Sequence, residues 1–371
     1  MKKIVNLFIW ILLAGLLVLG SLGLYLEEVR VFGAVFLAAL LLFIFISKRK
    51  ILIPRGFNLF LLFLIFLGVN VIWSQDRLKT LEYLVLFAGG GAFWLVMYNL
   101  QEQIQDRFEW IIVGLGILLG ASYLADLFMF SKMPIRPWSL YLPSTIYRNH
   151  NHLGDLWAIV LVVVANKLLS RSRRVLYWMI VIMGIFFLMV SLSRSAYLAL
   201  IVGVVYLFNK IHFAKKYKKF QIFFLVLAAG FFLYAGAFKS TLFARPYFEQ
   251  VIYGLKNWPF GVGVGNFGII SSSPNSPWWN GAQVGIISSS AHNVILEMIA
   301  GMGFLGLIFA TWFIYILKDV VKYSKNILYS SIFLAIAANF MFDTTYYIPA
   351  MLWLWFACLG LSQVTRGGVR Q

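Results

Sequence analysis

The chain has 371 residues, of which 62% are hydrophobic and 12% charged, with one cysteine and a formal net charge of +18. A soluble domain carries about 25% charged residues, so this composition excludes an ordinary soluble enzyme and favours one integral membrane domain over residues 1–371. The lone Cys358 lies in an apolar run, which excludes a disulfide framework. We interpret the basic excess as a topology signal and expect no nucleic-acid partner.

Apolar runs long enough to cross a bilayer recur along the chain and predict an all-α fold of about twelve transmembrane helices. The first run follows Met1-Lys2-Lys3 like a signal peptide, but its length and the lack of a small-residue cleavage site favour a retained helix. The predicted helices cover 4–24, 31–47, 57–73, 80–98, 108–129, 152–169, 174–191, 196–209, 220–238, 292–316, 327–343 and 347–364.

The basic residues predict the orientation of these helices. With both termini in the cytoplasm, 21 of the 31 lysines and arginines fall on the cytoplasmic side, as the positive-inside rule requires. The run KIHFAKKYKK after the eighth helix is the strongest such anchor, and a lipid-headgroup site is the alternative interpretation. We therefore expect a multi-pass protein of a bacterial inner (cytoplasmic) membrane, with membrane lipids as partners.

Two outer loops are long, about 130–151 and 239–291. Loops of that length in compact proteins are usually functional or disordered, and the many aromatic residues of the second favour an interfacial, partly helical segment. We expect this large loop on the periplasmic or extracytoplasmic face.

Three arginines lie beside polar motifs on the outer side: Arg148 in YRNHNHLGD, Arg194 in SLSRSAY and Arg245 in ARPYFEQ. Each admits two interpretations, an interface anchor whose charge reaches the headgroups or a fixed cation for a phosphate. Three arginines on one side favour the anion site.

His292 lies at the end of the large loop, behind three serines that are possible N-caps, and is followed by Asn293 and Glu297. A helix N-terminus disfavours the imidazolium, so we expect a neutral ring that can accept a proton. A single histidine is more often structural than catalytic, and that alternative stays open.

Two further patterns are weaker. His150, His152 and Asp155 could hold a metal, but their spacing is a poor zinc signal, and we expect neither a metal nor another cofactor. The glycines of PFGVGVGNF follow no strand, so they favour a tightly packed loop over a dinucleotide site.

At these residues the sequence resembles the O-antigen ligase and O-antigen polymerase superfamily of bacterial membrane glycosyltransferases. The matching pieces are RNHNHLGD, SRSAY, the run from Arg245 to Phe267 that ends PFGVGVGNF, and HNVILEMIAGMGFLGL. They occur in family order over residues 148–306, which would be the catalytic region.

The resemblance implies transfer of a glycan from undecaprenyl diphosphate to an acceptor hydroxyl, on a glycan or lipid, in the synthesis of lipopolysaccharide or another envelope polysaccharide. Arg194 and Arg245 would hold the diphosphate, with Arg148 as a third candidate, and His292 would accept the proton of the hydroxyl. The supporting positions that it implies are Asn149, Asn151, Asn293, Glu297, Gly263 and Asn266.

Two alternatives remain open at this point. Ligases and polymerases share these motifs, so a polymerase of O-antigen or exopolysaccharide is equally compatible with them. A transporter or flippase of lipid-linked glycans also has about twelve helices, but transporters usually carry polar residues near the bilayer midplane and internal repeats.

Overall fold

The structure is a computed structural model that describes residues 51–130, 150–169, 174–210, 246–277 and 288–363, with isolated helical positions between 222 and 233. In these ranges every regular element is a helix, which confirms the all-α prediction. The helices are α1 (Phe57–Asn70), α2 (Arg77–Asn99), α3 (Gln101–Phe130), α4 (His150–Leu169), α5 (Arg174–Ser191), α6 (Arg194–Lys210), α7 (Tyr247–Asn257), α8 (Phe267–Ser272), α9 (Val294–Met302), α10 (Gly306–Tyr323), α11 (Ile327–Phe340) and α12 (Pro349–Ser362), with short 3₁₀ helices at Gly303–Leu305 and Thr345–Tyr347.

Two helical stretches, Arg77–Asn99 and Val294–Tyr323, are long and apolar enough to cross a membrane. The helices predicted at 4–24 and 31–47 lie outside the described residues, and only isolated positions of 220–238 are described. The number of about twelve crossings therefore stays a prediction.

The centre of the bundle consists of α4 and α12. Helix α4 packs against α3, α5, α6 and α11, and α12 packs against α2 and α11. All 14 residues of α12 are buried, because the helix has neighbours on every side. Peripheral helices instead expose large apolar side chains, such as Ile65 of α1 and Ile182 of α5. Such surfaces are unfavourable in water and ordinary in contact with lipid.

The helix predicted over 292–316 is broken in the structure at Gly303, which has φ +61°. A Cβ atom there would lie 1.9 Å from the carbonyl oxygen of Pro259, so only glycine fits. The Phe304 N–H donates to that carbonyl at 3.1 Å. This break is not predictable from the local sequence, because its cause is a contact with a segment more than 40 residues earlier.

The PFGVGVGNF segment forms the other side of this contact. The Gly263 N–H donates to the carbonyl of Gly301 at 2.8 Å, and the Val262 N–H donates to that of Ala300 at 3.3 Å. These carbonyls end α9 and have no partner within the helix, so the loop satisfies them. The segment is thereby held against the end of α9.

Candidate functional site

His292 lies just before α9, with φ +48°, and not inside the helix as its predicted start at 292 implied. The N-cap is Asn293, whose side chain accepts hydrogen bonds from the N–H groups of Ile295 and Leu296 at 2.9 and 3.0 Å, so the three serines are not the cap. Left-handed backbone is uncommon outside glycine, and it places a tight turn at His292 immediately before α9.

A carboxylate from the last loop meets this imidazole. His292 Nδ1 lies 4.0 Å from Asp343 Oδ1, and His152 Nε2 of α4 lies 4.0 Å from the same oxygen. The His292 side chain is 32% exposed and the His152 side chain 4% exposed. Of these two imidazoles, only that of His292 is therefore open to a substrate.

The turn between α5 and α6 approaches Asp343 from the other side. Ser195 Oγ lies 3.1 Å from Asp343 Oδ2 and 2.9 Å from Asp155 Oδ1. Ser193 Oγ lies 2.8 Å from Asp155 Oδ1 and 2.8 Å from Ser195 Oγ. Arg194 is the first residue of α6 and lies between these two serines in the chain. The structure thus brings the Arg194 motif and the His292 motif to one carboxylate.

Asp343 is buried, and burial alone would raise the pKa of its carboxyl. The imidazoles of His152 and His292, the Thr344 N–H and the Ser195 hydroxyl act in the opposite direction, and the net effect lowers the pKa below its ordinary value. The Thr344 N–H donates to Asp343 Oδ1 at 2.6 Å. The carboxyl is therefore ionised at neutral pH.

Glu297 holds the His292 turn in place from within α9. Its Oε2 accepts the Ala291 N–H at 2.8 Å and the Tyr346 hydroxyl at 3.2 Å, so it joins the turn to the loop that carries Asp343. On the same side, the ring of Tyr247 lies 5.3 Å from that of His292. Helix α7 of the large loop therefore contributes one wall of the site.

The residues at the remaining predicted supporting positions form hydrogen bonds and packing contacts within the protein. Asn266 is buried and donates from Nδ2 to Ser74 Oγ at 3.0 Å and to the Val262 carbonyl at 3.3 Å. Gly263, with φ +96°, packs against Ser74. Asn293 donates to the Met341 carbonyl at 3.0 Å, beside the Asp343 loop. These contacts fix the framework around His292.

Asn151 lies half-buried in the first turn of α4. Arg148, Asn149 and Arg245, three of the predicted site residues, lie outside the described residues. Among the residues that the structure describes, no group of three or more histidine, cysteine, aspartate or glutamate side chains could hold a metal ion.

Comparison of the chain with protein-family models, curated proteins and solved structures found no match. What the site can do is therefore inferred from its geometry and from the motifs that form it.

Asp343 is the residue that the sequence analysis missed, because it was assigned to the end of a helix at 327–343. Helix α11 instead ends at Phe340, and Asp343 lies in the turn before a 3₁₀ helix. The available signal was the polar stretch FDTTYY between two apolar runs, where a carboxylate beside a membrane helix favours a functional site.

Proposed function

We propose that this chain is a membrane glycosyltransferase that moves a glycan from undecaprenyl diphosphate to an acceptor hydroxyl on the extracytoplasmic face, without a metal ion. One observation supports the proposal most. The half-exposed imidazole of His292 and the turn that carries Arg194 meet at the buried carboxylate of Asp343. A base that is oriented by a carboxylate, with an arginine on the adjoining turn, fits an alcohol nucleophile and an anionic leaving group.

In the proposed reaction, the acceptor oxygen forms a bond to the anomeric carbon while its proton passes to His292. The bond from that carbon to the diphosphate oxygen breaks, and its electron pair leaves with the diphosphate. Asp343 orients the imidazole and stabilises the positive charge that the ring acquires, as carboxylates do in other histidine-dependent transferases and hydrolases. Arg194, with Arg245 and Arg148, would stabilise the charge on the leaving diphosphate.

The membrane setting fits a lipid-linked donor. Two helices could cross a bilayer, and peripheral helices expose large apolar side chains. A lipid tail can approach such a bundle from the side, while the acceptor hydroxyl reaches His292 at the exposed part of its side chain. The inner-membrane location, the orientation and the twelve crossings belong to this proposal.

The test is transfer of a lipid-linked glycan in proteoliposomes, with chelator present throughout. We expect the unaltered protein to transfer glycan and His292→Ala and Arg194→Ala each to lower the rate by about 100-fold or more. Glu102→Gln, at an exposed position of α3, is the matched control and should transfer as the unaltered protein does.

Two outcomes would count against the proposal. Equal transfer by every variant would make His292 and Arg194 structural residues. Movement of lipid-linked glycan between leaflets without any new glycosidic bond would make the protein a transporter. Whether product lengthens stepwise or gains one glycan per acceptor separates a polymerase from a ligase.

A further inference from the structure

Four side-chain oxygens form a buried cluster that includes Asp343, and the proposed reaction does not use its other three members. The cluster joins Ser193, Ser195, Asp155 and Asp343 through four contacts of 2.8, 2.8, 2.9 and 3.1 Å. All four residues are buried. Each contact short enough for a hydrogen bond needs a hydrogen between its two oxygens.

The two serine hydroxyls supply only two hydrogens for these four contacts. If both carboxyls were ionised, two contacts would place lone pairs against lone pairs in a buried site. Protonation of Asp155 adds a third hydrogen, so that Asp155 donates to Ser193, Ser193 to Ser195 and Ser195 to Asp343. The number of contacts without a hydrogen of their own falls from two to one, the contact between Ser195 Oγ and Asp155 Oδ1. The imidazoles cannot supply this hydrogen, because His152 and His292 face the other oxygen of Asp343.

The charges around the two carboxyl groups also favour a proton on Asp155. Two carboxylates that share one hydroxyl in a buried site would both lose water, and a single proton removes one of the charges. Asp343 is the better anion, since it faces two imidazoles and accepts the Thr344 N–H. Asp155 faces hydroxyls that can accept a hydrogen bond as well as donate one, together with the Asn339 amide.

We propose that Asp155 is a positioning residue that keeps its proton at neutral pH and, through Ser193 and Ser195, holds Asp343 as the ionised partner of His292. Its role in transfer rests on the proposed function, but its protonation state does not. The buried cluster then explains why the Arg194 turn contains a serine on each side of the arginine.

Infrared spectroscopy of the purified full-length protein tests the protonation state without any activity. We expect a carbonyl band of protonated carboxyl groups at pH 7, part of which disappears in Asp155→Asn. Buried Glu297 can contribute to the same band, so the difference between the two spectra is the measurement. Glu102→Gln should leave the band unchanged. An Asp155→Asn spectrum that shows no loss would overturn the proposal.

Transfer rates test the role in positioning. An amide can donate a hydrogen bond as a protonated acid does, but it cannot replace a carboxylate. We expect Asp155→Ala to lower transfer by about tenfold or more, because it removes the buried hydrogen-bond partner that Ser193 and Ser195 share, and Asp155→Asn to restore most of the loss. Asp343→Asn should lower transfer by about 100-fold or more. If Asp155→Asn is as inactive as Asp155→Ala while both stay folded, the carboxyl is ionised and the proposal fails.

The two measurements distinguish an error about Asp155 from an error about the proposed reaction. If the unaltered protein transfers no glycan but Asp155→Asn removes the band, the buried proton is present and the reaction is wrong. If transfer depends on His292 and Arg194 but no band is lost, the reaction stands and the role of Asp155 is wrong.

Discussion

At the scale of single residues, the candidate site combines a partly exposed imidazole, a buried carboxylate and an arginine at the start of a helix. Two of the non-glycine residues with positive φ in the described chain, Leu192 and His292, lie in the two turns that meet at Asp343. Backbone of this kind is retained only where surrounding contacts fix it, and such positions cluster at functional sites.

Substitution of Arg194 by lysine should slow glycan transfer. Lysine keeps the charge but lacks the planar fork that binds two phosphate oxygens, so Arg194→Lys should transfer glycan more slowly than the unaltered protein and faster than Arg194→Ala. Initial rates at saturating donor would show this order. Lys210→Ala, at the exposed opposite end of α6, should leave the rate unchanged. Equal rates for Arg194→Ala and the unaltered protein would contradict a role in binding the diphosphate.

The lowered pKa of Asp343 predicts how stability depends on pH. A carboxyl whose pKa is lower in the folded state stabilises that state above its ordinary pKa of 3.8, and the contribution is lost as the pH falls through the folded value. The difference in thermal stability between the unaltered protein and Asp343→Asn, measured in detergent, should not fall between pH 7 and about pH 4.5, because any positive charge gained by a neighbouring imidazole strengthens its attraction to the carboxylate, and it should shrink at lower pH. A difference that already shrinks above about pH 4.5 would contradict the ionised state.

At the scale of elements, the glycine-rich segment after α7 is a structural clip. Its backbone N–H groups donate to the end of α9, and Thr80 of α2 donates to the Val264 carbonyl at 3.0 Å. The clip therefore connects α2 with the end of α9, two helices that are far apart in sequence. It also fixes α9, from whose start His292 projects.

Gly261 and Gly268 form a matched pair for testing the clip. Gly261 has φ +79°, and a Cβ atom there would lie 2.1 Å from the Gly301 carbonyl oxygen, whereas the nearest atoms to a Cβ at Gly268 are 3.8 Å away. We expect Gly261→Ala to destabilise the protein by about 1–3 kcal/mol and Gly268→Ala to have little effect. Thermal unfolding in detergent measures both. Equal melting temperatures would show that the clip does not support the fold.

At the scale of the whole molecule, a buried bundle centre and an apolar periphery fit a protein that lies in a bilayer. The proposed orientation places α7 and His292 on the extracytoplasmic side and the end of α10 on the cytoplasmic side. The only cysteine of the chain, Cys358, is fully buried, so the protein suits labelling with introduced cysteines.

Phe248→Cys on α7 and Lys325→Cys after α10 replace exposed residues and test the orientation. In intact cells, we expect a membrane-impermeant maleimide to label Phe248→Cys, and to label Lys325→Cys only after permeabilisation. The unaltered protein, whose Cys358 is buried, should remain unlabelled in both conditions. The reverse pattern would place the candidate site in the cytoplasm and would rule out the proposed lipid-linked reaction on the outer face.

The sequence by itself determined the all-α class, the approximate positions of most described helices and the Arg194 and His292 motifs. Apolar runs and short motifs are local properties of the chain, so a linear sequence records them directly. For example, the predicted helix at 174–191 coincides with α5.

Only the tertiary structure decided which polar groups meet. The break at Gly303 depends on Pro259, and the partner of His292 is Asp343, which follows it by 51 residues in the chain. No local pattern records such contacts, because they join segments that are far apart in sequence and meet only when the chain has folded. The contacts among Asp155, Ser193 and Ser195 belong to the same class, since they form only where α4 packs against the start of α6.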